Sequence, residues 1–119
     1  MSDGYLTTHV LDTALGCPAA GLRVELFRLT DTGPEKIAEA VTNSDGRTDG
    51  PILPKGKFAP GVYELVFFAG DYLDSIGAPP ESPRFLDQIP IRFGISDAEA
   101  HYHVPLLLSP FGMATYRGS

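Results

Sequence analysis

The sequence predicts an all-β fold: a two-sheet sandwich of seven or eight short strands with one short helix. Three observations carry this expectation. Apolar and polar residues alternate over short runs, which is the two-residue period of a half-buried strand. Glycine occurs 13 times and proline 11 times, cutting the chain into short pieces. The last stretch, HYHVPLLLSPFGMATYRGS, reads as two strands joined by a tight Ser-Pro-Phe-Gly turn. Short strands with frequent turns are the pattern of sandwiches and barrels.

Residues 5–11 form the first expected strand. Leu6, Thr8 and Val10 share one face, and Tyr5, Thr7, His9 and Leu11 share the other. If Leu6 and Val10 face the core, His9 faces outward. Residues 12–20, with Gly16, Pro18 and several small side chains, read as a loop. Residues 22–29, LRVELFRL, alternate almost cleanly and form the clearest half-buried strand. A turn over 30–34 leads to its hairpin partner at 35–42; the helical composition there spans too few residues for an independent helix. Residues 43–50, NSDGRTDG, are a dense turn cluster with Arg47 in its middle. A short strand is expected at 51–53. Residues 61–68 are apolar on both faces, as a central strand would be. Residues 71–76 fit one short helix closed by Gly77. After an irregular proline-rich stretch at 78–86, residues 88–95 alternate again, and Pro90 favours a sheet edge. Residues 96–100 are a polar link into the final hairpin, whose strands are 102–108 and 113–116.

The totals limit the function. The 119 residues correspond to one domain, 1–119, with enough surface to bury for a real core. A net charge of −6 argues against a nucleic-acid partner, which needs a basic patch. No apolar run is long enough to span a membrane. Cys17 is the single cysteine, so no intrachain disulfide forms. The start, Met-Ser-Asp-Gly, lacks the basic and apolar regions of a signal peptide, and Arg-Gly-Ser is not a peroxisomal ending. A cytoplasmic location is the expectation.

The residues that could carry chemistry are few. Histidine suits proton transfer near neutral pH, and there are three: His9, His101 and His103. His103 lies opposite in parity to Tyr102 and Val104, so it points outward if those are core. Ala114 and Tyr116 share a face of the last strand. If the strands are neighbours, His9, His103 and Tyr116 line one exterior sheet face. An exposed histidine on a strand is by default solvated surface, and His101, in the polar link, keeps that reading. Arg47 is by default a solvated loop residue; as a functional group it is a planar, always-charged clamp. The ending adds a phenol, a guanidinium, a hydroxyl and a carboxylate at Tyr116, Arg117 and Ser119. His-X-His can ligate zinc, but no cysteine or acid sits at a supporting spacing, so no metal is expected. No Gly-X-Ser-X-Gly elbow and no phosphate-binding glycine loop occurs.

Leu6-Thr7-Thr8-His9-Val10-Leu11-Asp12, Gly16-Cys17-Pro18-Ala19, the run from Tyr102 to Pro110 and the ending Tyr116-Arg117-Gly118-Ser119 carry a resemblance. Together they resemble the 5-hydroxyisourate hydrolases, transthyretin-like enzymes of purine breakdown. The resemblance covers the chain from Tyr5 to Ser119; Met113 departs from it, at a position where relatives often have tyrosine. It implies a transthyretin-like (prealbumin-like) sandwich of two four-stranded sheets, assembled as a homotetramer, a dimer of dimers, with sites in a central channel. It implies hydrolysis of 5-hydroxyisourate, the first product of urate oxidation, to 2-oxo-4-hydroxy-4-carboxy-5-ureidoimidazoline. The site then falls on His9, Arg47, His103 and Ser119 as catalytic residues, with His9, Arg47, Tyr116, Arg117 and Gly118 binding substrate. No cofactor and no covalent intermediate is required. The bare N-terminus lacks the import extension of eukaryotic relatives, which again favours the cytoplasm. Two other readings use the same residues differently: a transthyretin-like carrier of small aromatic ligands without catalysis, and a structural sandwich domain of a surface protein.

Overall fold

In the computed structural model, which describes residues 3–119, the strands form two four-stranded sheets. The elements are β1 (Tyr5–Asp12), β2 (Cys17–Pro18), β3 (Arg23–Thr30), β4 (Gly33–Val41), β5 (Gly61–Phe68), α1 (Ala69–Ser75), β6 (Gln88–Ile95), β7 (His101–Ser109) and β8 (Gly112–Thr115). One sheet has the order β2-β1-β7-β8 and the other β4-β3-β5-β6. The two-sheet architecture with one short helix is therefore as the sequence predicts.

Alternation decides what is inside. On β1, Leu6, Thr8, Val10 and Asp12 are buried, and Tyr5, Thr7, His9 and Leu11 face the other way, half-buried. On β7, Tyr102, Val104, Leu106 and Leu108 are buried, while His101, His103 and Leu107 face out. The second sheet answers with Val24, Leu26, Tyr63, Leu65 and Phe67. Each large apolar side chain buried in this way contributes about 1.5–3 kcal/mol. β5 is central and β6 lies at an edge, where Pro90 costs the ladder nothing on its outer side.

β1 and β7 run parallel, with Tyr5 opposite His101, Thr7 opposite His103 and His9 opposite Pro105. A parallel pair of this kind joins the two ends of the chain and leaves no local trace in the sequence. The helix begins at Ala69, directly after β5 and two residues before the expected start. Its Tyr72 is buried, and the Tyr72 hydroxyl donates to the buried Asp12 carboxylate at 2.8 Å. Asp12 also accepts the amides of Ala14 and Leu15 at 3.0 and 2.9 Å. One carboxylate thus caps the turn after β1 and docks the helix. Burial and that hydrogen bond push the Tyr72 phenol well above its usual value.

Other boundaries differ from the sequence reading. The 12–20 loop contains β2, which pairs with the end of β1. β4 starts at Gly33, because Thr30 and Gly33 close a two-residue hairpin turn. The strand expected at 51–53 is reduced to a single bridge between Leu53 and Leu6. β7 begins at His101, one residue before the expected strand start, and β8 ends at Thr115. Among the described residues no helix is long and apolar enough to cross a membrane.

Candidate active site

The free edge of β1 needs hydrogen-bond partners, and three separate segments supply them. Leu11 and Asp12 pair with Pro18 and Cys17 of β2, His9 with Arg47, and Leu6 with Leu53. The middle segment is the turn cluster. Asn43 Oδ1 accepts the amides of Asp45 and Arg47 at 2.9 and 3.2 Å, and the Asn43 amide donates to the Arg47 carbonyl at 2.8 Å. The Val10 amide donates to the Gly46 carbonyl at 2.8 Å, which clips the turn to the strand. Gly46 has φ +76, and a Cβ there would lie 2.4 Å from the Val10 carbonyl oxygen. Only glycine allows this approach, and the approach sets Arg47 beside His9.

The rings beside Arg47 are fixed by hydrogen bonds. His9 Nε2 lies 2.9 Å from the Asp45 carbonyl oxygen. A carbonyl can only accept, so Nε2 carries the proton and, in the neutral ring, Nδ1 holds the lone pair. His103 Nδ1 lies 2.8 Å from Thr7 Oγ1, and the same hydroxyl lies 2.6 Å from His101 Nε2. His101 stacks on Tyr5 with ring centroids 4.1 Å apart and planes 8° from parallel. The His9 and His103 ring centroids are 6.5 Å apart, so a small molecule or water can reach both rings.

The tail reaches His103 through an interrupted ladder. β8 pairs with β7 from Ser109–Gly112 to Leu106–Thr115. The next β7 residue, Pro105, has no N–H, so the ladder fails there. Its carbonyl takes the Thr115 hydroxyl instead, at 2.7 Å. Pairing resumes in the same register at Gly118, whose amide donates to the His103 carbonyl at 2.7 Å. In the gap the chain leaves the strand. Tyr116 and Arg117 line a second cavity of about 260 Å³ with Ile91, Phe93 and Tyr102, and the Arg117 guanidinium sits 4.0 Å over the Tyr102 ring. The expected alignment of Tyr116 with the two histidines on one strand face is thus corrected: Pro105 ends the strand first.

Arg47, His101, His103 and Ser119 meet in a cavity of about 440 Å³, with Thr7 and Tyr5 in its wall. Within one chain, then, His9, Arg47, His103, Gly118 and Ser119 come together, while Tyr116 and Arg117 do not join them. Burial first, and the neighbouring Arg47 charge second, hold the His9 imidazole below its ordinary pKa; the Asp45 carbonyl opposes this. Burial, Arg47, His101 and His9, in that order, lower His103 likewise, and the Thr7 main-chain carbonyl opposes this. Both rings are therefore neutral near pH 7, beside a guanidinium that no carboxylate pairs among the described residues. Neutral imidazoles move protons, and a fixed cation stabilises a developing oxyanion. No group of three or more His, Cys, Asp or Glu side chains is placed to hold a metal ion among the described residues.

His101 and Thr7 are the site residues that the sequence reading passed over. His101 shares parity with His103, and that spacing was the available signal; placing the strand start one residue late hid it. Thr7 shares parity with His9, but only the parallel register with β7 brings its hydroxyl between two imidazoles.

The HIUase/Transthyretin family model matches residues 6–118. A 5-hydroxyisourate hydrolase 2 of Rhizobium meliloti is 60% identical over 116 residues, 98% of this chain and 97% of that protein. The 5-hydroxyisourate hydrolase of Pseudomonas aeruginosa is 55% identical over 116 residues, 98% of this chain and 92% of that protein. Among solved structures, an (S)-allantoin synthase superposes with a TM-score of 0.94 at 50% identity, the match covering 99% of this chain and 44% of that one. The Klebsiella pneumoniae 5-hydroxyisourate hydrolase gives 0.80 at 34% identity, over 97% and 99% of the two chains. Transthyretin from Sparus aurata gives 0.84 at 27%, over 95% of each. With the family pattern matched over nearly the whole length and relatives this similar from end to end, the chain belongs to the HIUase/Transthyretin family.

Proposed function

We propose that this protein hydrolyses 5-hydroxyisourate to 2-oxo-4-hydroxy-4-carboxy-5-ureidoimidazoline. Water attacks a ring amide carbonyl, a C–O bond forms, the ring C–N bond breaks, and the nitrogen leaves with a proton. That reaction needs a base for water, a positive group at the carbonyl oxygen and an acid for the nitrogen. His9 and His103 transfer the protons, and Arg47 orients the substrate and stabilises the oxyanion. Ser119 positions substrate or water, Gly118 contributes to substrate binding beside His103, and Tyr116 and Arg117, which line the second cavity within one chain, contribute only in the assembled channel. The observation that carries this reading is the convergence of His9, Arg47 and His103 with a tail hydrogen-bonded to the His103 backbone. The curated relatives bear the name of this activity.

One sheet face cannot enclose a substrate, and this cavity opens on the outer side of β1 and β7. A homotetramer, a dimer of dimers in the cytoplasm, closes it by setting sheet faces against one another. A non-catalytic carrier of the transthyretin kind would use the same channel; two neutral imidazoles beside a guanidinium that has no carboxylate partner among the described residues favour hydrolysis. The test is to add the protein to freshly generated 5-hydroxyisourate and follow its absorbance decay. Acceleration well above the spontaneous rate is expected, and decay at the background rate would refute the assignment.

A further inference from the structure

We propose that Thr7 and His101 fix the tautomer of His103: His101 Nε2–H donates to the Thr7 oxygen, the Thr7 hydroxyl donates to His103 Nδ1, and His103 keeps its proton on Nε2. The catalytic consequence rests on the function proposed above; the tautomer itself does not.

A hydroxyl has one hydrogen, so Thr7 donates to one imidazole and must accept from the other. The contacts of 2.6 and 2.8 Å therefore lock the two rings together. Either both carry the proton on Nε2, or both carry it on Nδ1. Two arguments choose the first. Neutral imidazole by itself prefers the Nε2–H form, and here both rings adopt it. In addition, a doubly protonated His101 can only donate through Nε2, which forces the same direction. The relay is built rigidly. Tyr5 pairs with His101 and Thr7 with His103 in the β1–β7 register, and the Tyr5 stack holds the His101 ring in its plane. The other polar groups around His103 are His9, Arg47 and the Thr7 main-chain carbonyl; the carbonyl favours an N–H on the ring, but the contact to Nδ1 with hydrogen-bond geometry is the Thr7 hydroxyl at 2.8 Å, and neither His9 nor Arg47 bonds that nitrogen.

The outcome is two unlike imidazoles. Neutral His9 has its lone pair on Nδ1, because Nε2–H is given to the Asp45 carbonyl. Neutral His103 has an N–H on Nε2, because Nδ1 is occupied by Thr7. His9 is thereby suited to take a proton from water and His103 to give one to the leaving nitrogen. Thr7 and His101 are positioning residues, acting through His103.

The experiment reads ring nitrogens directly. Long-range proton–nitrogen correlation spectra of the substrate-free, nitrogen-15-labelled protein are recorded at about pH 8, above the ordinary imidazole value of about 6.5. His103 is expected protonated on Nε2 and bare on Nδ1. Thr7→Val deletes the hydroxyl at constant size and should return His103 to a mixture, and Thr7→Ser should restore the single form. His101→Phe keeps a ring on Tyr5 but removes the donor, and should also mix the tautomers. In turnover, Thr7→Val and His101→Phe should lower kcat by about tenfold or more at nearly constant KM, with recovery in Thr7→Ser. A parent His103 protonated on Nδ1, or an Nε2–H form unaltered in both Thr7→Val and His101→Phe, overturns the proposal; if Thr7→Val does not fold, the parent and His101→Phe spectra decide. A folded parent with the expected spectrum and no hydrolysis would overturn the function and leave the tautomer assignment standing.

Discussion

Replacing Gly118 with alanine separates the part in catalysis proposed for the tail from any part in folding. A Cβ at that position would lie 2.5 Å from His103 Cδ2, 3.3 Å from Cγ and 3.4 Å from Cβ. Carbon atoms rest about 3.5–4.0 Å apart, so something must move by about 1 Å. The ring resists, because Nδ1 is held by Thr7. The tail yields more readily: its hold here is one hydrogen bond, from the Gly118 amide to the His103 carbonyl. Losing that bond costs about 1 kcal/mol net. No core side chain is touched, so the melting temperature should fall by no more than about 5 °C. Turnover should suffer far more. Ser119 is withdrawn from the cavity and the His103 ring is crowded, and a displacement of about 1 Å at reacting groups can cost about a hundredfold. The assay is the initial rate of 5-hydroxyisourate decay above background, alongside a thermal melt of the same preparation. A Gly118→Ala protein that melts like the parent and turns over at the parent rate would refute the tail's place in the site.

Four further outcomes are expected. Deleting residues 116–119 should abolish catalysis while largely sparing the fold, since β8 already ends at Thr115; a parent rate in the truncated protein would make the tail irrelevant. Gly46→Ala should destabilise by about 2–4 kcal/mol, from left-handed backbone strain plus the clash with the Val10 carbonyl; an unchanged urea midpoint would show that the turn is not clipped to β1 as described. Because burial and then Arg47 lower the His9 and His103 pKa values, the acid limb of kcat/KM should lie below the ordinary imidazole value, and Arg47→Met should move it upward. By the same sign, their stabilising effect is present above the unfolded value of about 6.5 and is lost as pH falls through the lowered folded values; a parent limb at or above 6.5 would contradict this. Sedimentation at micromolar concentration should give a tetramer, and a fully active monomer would refute the shared channel.

The two-residue period of each strand was enough to place His9 and His103 outward, because the parity of a strand residue is a local property set by which neighbours are apolar. The same period marked β5 as central, through its two apolar faces, and Pro90 marked β6 as an edge. What parity cannot report is the neighbour. The parallel union of β1 with β7 joins residues more than ninety positions apart, and only it turns Thr7, His101 and His103 into one hydrogen-bonded group. The bridges from His9 to Arg47 and from His103 to Gly118 involve one residue on each side, too few to leave a periodic signature. Tyr116 is the instructive difference. The sequence puts Tyr116 on the last strand in parity with Ala114, but β8 ends at Thr115, because Pro105 on the partner strand has no amide hydrogen to continue the ladder. That missing donor belongs to a different segment of the chain, so where Tyr116 goes was decided by tertiary pairing alone.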